Sequence, residues 1–562
     1  MKKPLLSELS LREKIGQTAL GRPSNKGYTD LKKYPYGCIW GMGNIRMDEF
    51  NMNDEAGERV TARMEWLHKL ERMNRDLRIP MLQAMDCTSG INHFFSELEP
   101  HMDPVTIGAA DSEELAYEGG RLRGAMLRSV GSRWAWFHEV DRPNRACTVM
   151  LGRQYSDDPD KLLAMNIADM KGCHEMGVAA CAKHFPGADG MEYRDPHTCQ
   201  STILLPMEEW WEWQGKIFQG MVDAGVDSVM ICHAAFPFCD NTTRNGNYVP
   251  ASLSYKVITE LLKNKMGFKG VVITDGIGMR GVSAYCDDNM DQVYVEAIKA
   301  GNDVVLGVND SYFDAIEQAV LTGEIPESRI DDACQRVLDM KEKYGFFDRD
   351  FAVSCGDPAE INAWALDYRR RVARKAVSLV CDKKGLFPLA ADKIKHVTIV
   401  YSGHDKTGGG RAFDHLKVMQ EAFERRGATV EMHRRLQRYP DRSYEIKEVA
   451  PRSDLIVYVG HLLRGAPDSP NHFFGDELNL FRQALLLGVD KSVGIGLGSP
   501  FMYFDYYSAF PAFINAYNYT AETLEAVVAA MYGEIGFEGG TPFELLPPHF
   551  KRYLDMLKER ES

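Results

Sequence analysis

A carboxylate closes the run Val271-Val-Ile-Thr-Asp275, directly after four residues of strand type. Held at a strand end, a carboxylate can attack an anomeric carbon and form a covalent glycosyl-enzyme. The same position suits an aspartate capping the next helix, because Asp is a favoured N-cap. Position alone leaves these two readings level. A second group is Lys183-His184-Phe185-Pro186-Gly187, followed at short range by Asp195-Pro196-His197. An aspartate beside a histidine orients the imidazole and favours its protonated form, which suits proton transfer near neutral pH. An Asp-x-His pair is common on surfaces, so it takes its meaning from its neighbours. Asp86 and His233 likewise come directly after apolar runs.

The elements that must position these groups form a pattern. Apolar runs at 36–41, 79–85, 178–182, 228–232, 270–274 and 303–307 are continuous, as in strands covered on both faces. Helical periodicity separates them, for instance over 255–265 and 292–300, and a helix over 327–344 closes the series. Repeated β-then-α over residues 1–350 predicts an α/β fold of the TIM type, a (β/α) barrel with insertions. In such a barrel the active face is built at the ends of the strands and in the loops after them. Asp86, Lys183, His184, His233 and Asp275 all fall there. Residues 351–370 read as a linker. Residues 371–562 read as a smaller C-terminal α/β sandwich domain, with strands at 396–401, 454–460 and 492–497 and helices near 414–426 and 476–487.

A chain of 562 residues exceeds what one hydrophobic core supports, in line with two domains. The formal net charge of −14 opposes a polyanionic partner, so nucleic acid is set aside. No apolar window is long enough to cross a membrane, and no export signal is evident at the first residues. The 12 cysteines include no C-x-x-C pair and read as reduced, mostly buried thiols, giving a cytoplasmic expectation. No ligand spacing points to a metal, and no cofactor is expected. Gly408-Gly-Gly-Arg411 lacks the Lys-Ser/Thr of a P-loop and reads as a plain loop. Trp134, Trp136, Trp210, Trp211 and Trp213 suit sugar stacking, but core packing is the better reading, because Trp is highly buried on average.

Taken together and in order, the motifs resemble family 3 of the glycoside hydrolases, particularly its β-N-acetylglucosaminidase branch. The resemblance begins at Leu11-Arg-Glu-Lys-Ile-Gly-Gln and continues through Ile79-Pro-Met-Leu with Asp86. Next come Gly152-Arg153 ahead of Asp158-Pro159, Lys183-His-Phe-Pro-Gly and Asp195-x-His197. Pro250-Ala-Ser-Leu-Ser, Gly267-Phe-x-Gly-Val-Val-Ile-Thr-Asp275 and Ile330-Asp-x-Ala-x-x-Arg-Val-Leu follow, and Phe537-Glu-Gly-Gly-Thr-Pro-Phe-Glu-Leu ends the series. The resemblance implies a retaining, exo-acting hydrolase of β-N-acetylglucosaminides. Asp275 would be the nucleophile, and His197, held by Asp195, the general acid/base. Asp86, Arg153, Lys183 and His184 would hydrogen-bond the terminal sugar. His233 falls where the family has a further pocket-lining histidine, and a core role for it stands equally open.

Three departures from the family pattern bear on sugar selectivity more than on bond cleavage. They are Cys87-Thr-Ser-Gly after Asp86, Ala188-Asp-Gly after Gly187, and Gly276 after Asp275. Alternatives are therefore a β-glucosidase, a β-xylosidase, a β-glycoside phosphorylase, or a barrel that only binds carbohydrate. The partner expected is a carbohydrate substrate. Support of the barrel, shaping of the pocket rim and homo-oligomer assembly are the roles open to the second domain.

Overall fold

The computed structural model describes residues 2–21, 30–41, 63–75, 77–143, 152–188, 192, 194–348, 356–403, 412–434, 445–462, 488–546, 550–553 and 556. The chain forms two compact units. The first comprises Met1–His101, Ala116–Arg142 and Leu162–Leu366, and the second Met102–Leu115, Pro143–Lys161 and Asp367–Ser562.

The first unit is built on eight parallel strands: β1 Ala19–Gly21, β2 Cys38–Trp40, β3 Leu82–Asp86, β4 Trp134–Trp136, β5 Ala179–Phe185, β6 Ser228–Ile231, β7 Val271–Thr274 and β8 Val305–Val308. They pair in sequence order from β1 to β7, and β8 pairs with β1. A bridge between Ile273 and Val304 joins β7 to β8, so the sheet closes into a barrel. Side chains two apart on a strand share a face. Accordingly Leu82 and Ala84, Trp134 and Trp136, Ala179 and Cys181, and Val271 and Ile273 meet in one buried core. Val337, Met340, Tyr344 and Phe346, from the helix Glu327–Lys343 and the turn after it, extend that core. Both strand tryptophans are fully buried, and Trp134 Nε1 donates to Ser228 Oγ at 2.7 Å. Core packing is thus their role.

β1 and β4 were not among the expected strands. Ala19-Leu-Gly is three residues long and directly follows the helix Leu11–Thr18, so it has no apolar run of its own. Trp-Ala-Trp is also three residues long, too short to show a period of two.

The second unit carries a six-stranded sheet of β9 Ser378–Asp382, β10 His396–Gly403, β11 Thr429–Arg434, β12 Leu455–Leu462, β13 Ser492–Gly498 and β14 Ala512–Asn515. Its order is β9-β14-β13-β12-β10-β11, parallel except for β9 against β14. β12 is buried along its whole length, as a central strand with both faces covered must be. Two earlier segments join this unit through backbone contacts: Gly540 N–H donates to Ala109 O at 2.9 Å, and Asp157 N–H to Pro542 O at 3.1 Å.

Where a linker was expected, a helix occupies Pro358–Ala376. It runs through the point, after Leu366, at which the two units divide. The expected helix over 476–487 and the Gly408–Arg411 stretch lie outside the described residues. Ten described cysteines carry free thiols, seven of them buried. Among the described residues no helix is long and apolar enough to cross a membrane.

Candidate active site

Asp275 is the first residue beyond β7. Its N–H donates to Ile231 O at 2.8 Å, so the pairing of β6 with β7 fixes the backbone that carries the carboxylate. Oδ1 accepts the N–H of Gly276 at 2.7 Å. Burial alone would push this carboxyl up. The charges of His184 and His233, the Gly276 N–H and the charge of His197 outweigh it, and Asp275 sits below the ordinary carboxylate value. It is ionised at neutral pH.

His233, two residues beyond β6, is fully buried. Its Nε2 lies 2.9 Å from Gly276 O and its Nδ1 2.7 Å from Ser252 Oγ. A carbonyl only accepts, so Nε2 carries the proton and, in the neutral ring, Nδ1 accepts from the serine hydroxyl. Burial lowers the pKa of the ring, with the charge of Asp275 working against it. With both nitrogens committed, His233 anchors the backbone next to Asp275. Of the two roles open in the sequence, this geometry supports the core one.

β5 supplies Lys183 and His184. The peptide between them is cis, as is Phe185–Pro186. Lys183 Nζ is buried between Asp86 Oδ1 at 2.9 Å, Trp136 O at 2.9 Å and Glu139 Oε1 at 3.6 Å. One ammonium therefore links two carboxylates, and the Asp86 side chain stays 42 % exposed. Glu139 Oε1 also accepts from Thr88 Oγ1 at 2.8 Å, which ties in the unusual segment after Asp86. Behind that segment the Arg123 guanidinium donates to the carbonyls of Cys87 and Thr88 and pairs with the buried Asp169 at 3.3 Å. His138, Asp169 and Cys173 stand close enough to ligate a metal ion. Arg123, however, already supplies Asp169 with a cation, which opposes a second positive charge there.

The pair Asp195 and His197 sits in the loop after β5. Asp195 Oδ1 accepts from His197 Nδ1 at 2.6 Å and from the His197 N–H at 2.9 Å. Burial raises the Asp195 carboxyl, but these bonds prevail and hold it below its ordinary value. The ring is about half exposed, its side chain at 46 %. Two backbone bonds dock this turn on the segment after Asp275: Arg280 N–H to His197 O at 3.3 Å and Gly281 N–H to Pro196 O at 3.1 Å. At the root of the loop, Gly187 has φ +107, and a Cβ there would stand 2.3 Å from Gln214 Oε1. Only glycine suits that position. Glu192, the other described carboxylic acid of this loop, is bound by Arg194 and by the Thr202 N–H at 2.8 Å. Burial would raise it, but the Arg194 bonds keep it ionised, so it holds the loop and has no proton to give.

The structure thus brings together Asp86, Lys183, His184, His197 with Asp195, His233 and Asp275. Arg153 belongs to the second unit through Pro143–Lys161. Sequence reasoning missed Glu139 and Asp141, which follow β4. Asp141 accepts the N–H of His184 at 2.9 Å and its Nδ1 at 2.7 Å. Their signal was present in Phe137-His-Glu-Val-Asp141, polar residues directly after a strand, but it needed Trp-Ala-Trp to be read as that strand.

A closed parallel barrel that gathers carboxylates, imidazoles and an ammonium at its strand ends has the architecture of a barrel enzyme. The chain belongs to family 3 of the glycoside hydrolases: the family model described as "Glycosyl hydrolase family 3 N terminal domain" matches residues 10–340. It is similar to a β-N-acetylglucosaminidase/β-glucosidase of Cellulomonas fimi, 24 % identical over 83 % of this chain and 84 % of the relative. It is also 31 % identical to a β-hexosaminidase of Stenotrophomonas maltophilia, over 43 % of this chain and 71 % of that one. Among solved structures, a β-glucoside phosphorylase superposes with a TM-score of 0.82 at 23 % identity, covering 96 % of this chain and 94 % of that one. A family 3 β-N-acetylglucosaminidase of Paenibacillus sp. superposes at 0.75 with 22 % identity, covering 96 % and 99 %. At these identities the structural likenesses establish the fold.

Proposed function

We propose that this glycoside hydrolase is an exo-acting, retaining β-N-acetylglucosaminidase with Asp275 as nucleophile and His197 as acid/base. The observation that carries the reading is the docking of the Asp195–His197 turn on residues 280 and 281, just past the ionised Asp275. In the first step an Asp275 oxygen attacks the anomeric carbon and the glycosidic C–O bond breaks. Protonated His197 gives its Nε2 proton to the departing oxygen, while Nδ1–H stays on Asp195. In the second step neutral His197 takes a proton from water. The water oxygen then bonds to the anomeric carbon, the ester to Asp275 breaks, and β configuration is restored.

Asp86, whose side chain is 42 % exposed, binds hydroxyls of the terminal sugar. Lys183, buried against it at 2.9 Å, holds that carboxylate in place. The names of the Cellulomonas and Stenotrophomonas relatives support N-acetylglucosamine as that sugar. One feature favours phosphorolysis as a second reading. The acid/base group is an imidazole, which carries no negative charge when neutral and so does not repel a phosphate acceptor, as a second carboxylate would.

The test is a panel of p-nitrophenyl β-glycosides assayed with and without inorganic phosphate. N-acetylglucosaminide turnover several-fold above glucoside and xyloside supports the assignment. Preference for another glycoside reassigns the sugar. A sugar 1-phosphate product selects phosphorolysis, and no turnover of any glycoside refutes the catalytic reading.

A further inference from the structure

His184 is held from one direction by a single carboxylate. Asp141 takes the backbone N–H of His184 on Oδ1 at 2.9 Å and the ring Nδ1 on Oδ2 at 2.7 Å. The Asp141 side chain is 1 % exposed, so a substrate does not reach it, while that of His184 is 14 % exposed. A carboxylate only accepts, so Nδ1 must carry a proton and Nε2 is the ring nitrogen left for a ligand. One contact fixes the strand end and the other fixes the ring, so rotating the imidazole would cost a charge-assisted hydrogen bond. The groups that act electrostatically on His184 come from three elements. They are Asp141 after β4, His233 after β6 and Asp275 after β7.

We propose that Asp141 is a positioning residue: it locks His184 in the Nδ1–H tautomer and presents Nε2 to a sugar oxygen beside Asp275. Neutral His184 then accepts a sugar hydroxyl proton at Nε2, and protonated His184 donates there. In both states the ring keeps its place. The proposal rests on the reading of Asp275 as the nucleophile. It differs in kind from the role of His233, whose two nitrogens are both spent on the protein.

The tautomer is read directly from ¹⁵N shifts of histidine-labelled protein, with the His184 signals identified by their loss in His184→Gln. Spectra are recorded above the pH at which the ring loses its second proton. The wild type should show Nδ1 protonated and Nε2 bare. An Nε2–H tautomer in the wild type overturns the proposal without any variant at position 141. Asp141→Asn, whose amide can donate to Nδ1, should invert the tautomer and lower kcat/KM on an aryl glycoside roughly 10–100-fold. In the His184→Gln background the same substitution should cost less than about 3-fold, because both changes remove one interaction. Multiplicative losses, or an Asp141→Asn protein with the wild-type tautomer, refute it. Asp275→Ala is assayed alongside. Turnover retained there refutes the nucleophile, and the tautomer result is read independently of it.

Discussion

The N–H of Gly281 donates to the carbonyl of Pro196 at 3.1 Å, and that carbonyl oxygen lies 2.8 Å from where a Cβ on residue 281 would stand. The carbonyl of Cys199 lies 3.0 Å from the same point. Both obstacles are backbone atoms of the turn that carries His197, so neither can swing aside like a flexible side chain. The segment following Asp275 and the turn bearing the Asp195–His197 pair thereby approach too closely for a side chain at residue 281.

Gly281→Ala should therefore displace the His197 turn while leaving Asp275 in place. Misplacement of a reacting group by about 1 Å can cost ~10²-fold, so cleavage of an oligosaccharide should fall by 10-fold or more. Cleavage of a dinitrophenyl glycoside, whose leaving group needs no proton, should change little in its glycosylation step. Pre-steady-state rates on the two substrates measure the difference. Equal effects on both would mean that the turn does not carry the acid.

In the proposed mechanism Asp275 must be ionised to attack. Because its pKa is held below the usual value, activity should persist at pH 5 and fall only as the pH drops through the lowered value. His184 is the largest opposing charge, so His184→Gln should move the acid limb of kcat/KM to higher pH. Asp275→Ala should lose on the order of 10³-fold or more in turnover while remaining folded. A 2-deoxy-2-fluoro glycoside should label Asp275 in the wild type, and peptide mapping locates the label. A label on any other carboxylate removes Asp275 from the role.

His197→Ala should impair poor leaving groups far more than good ones, by about 10²–10⁴-fold, the usual scale of acid–base assistance. Azide should restore part of the deglycosylation rate and yield a β-glycosyl azide. Glu192 gives no fallback, since its carboxylate is held ionised by Arg194. Glu192→Gln should therefore alter the loop, seen as a lower Tm, without reproducing the leaving-group pattern. If it did reproduce that pattern, the acid would be Glu192.

The strand that leads to Asp275 has its own support. Asp303 is fully buried, accepts the N–H of Val272 at 2.9 Å and takes Lys263 Nζ at 2.8 Å, with Arg329 on the same oxygen. Burial raises this carboxyl, but Lys263 and Arg329 hold it below its ordinary value. Asp303→Asn strands a buried ammonium and should cost about 3–5 kcal/mol in denaturant unfolding. A carboxyl lowered on folding stabilises fully above its unfolded value of about 3.9 and progressively less as pH falls toward the folded value. The variant should therefore differ from wild type at pH 7 and approach it as acid is added. A gap that stays constant to pH 3 would contradict the ion pair.

The sequence by itself determined the barrel and the places along it where chemistry could sit. Apolar runs mark β2, β3 and β5 to β8 because strands covered on both faces must be continuously hydrophobic. Asp86, Lys183, His184, His233 and Asp275 were legible because each directly follows or ends such a run, a relation local in sequence. Asp195 and His197 were legible because a single residue, Pro196, separates the carboxylate from the ring it holds. What tertiary structure alone decided is which polar atoms of these groups are spent on the protein itself. His233 and His184 look alike as strand-end histidines. Ser252 and Gly276 consume both nitrogens of the first, whereas Asp141 consumes only one of the second. Those partners lie 19 and 43 residues away for His233 and 43 for His184, separations that no local pattern encodes. The same holds for Gly281, whose missing Cβ matters only because a turn 85 residues earlier in the chain packs where that atom would be. Hydrophobic period is a property of a segment, but the environment of a polar group belongs to whatever closure of the barrel brings beside it.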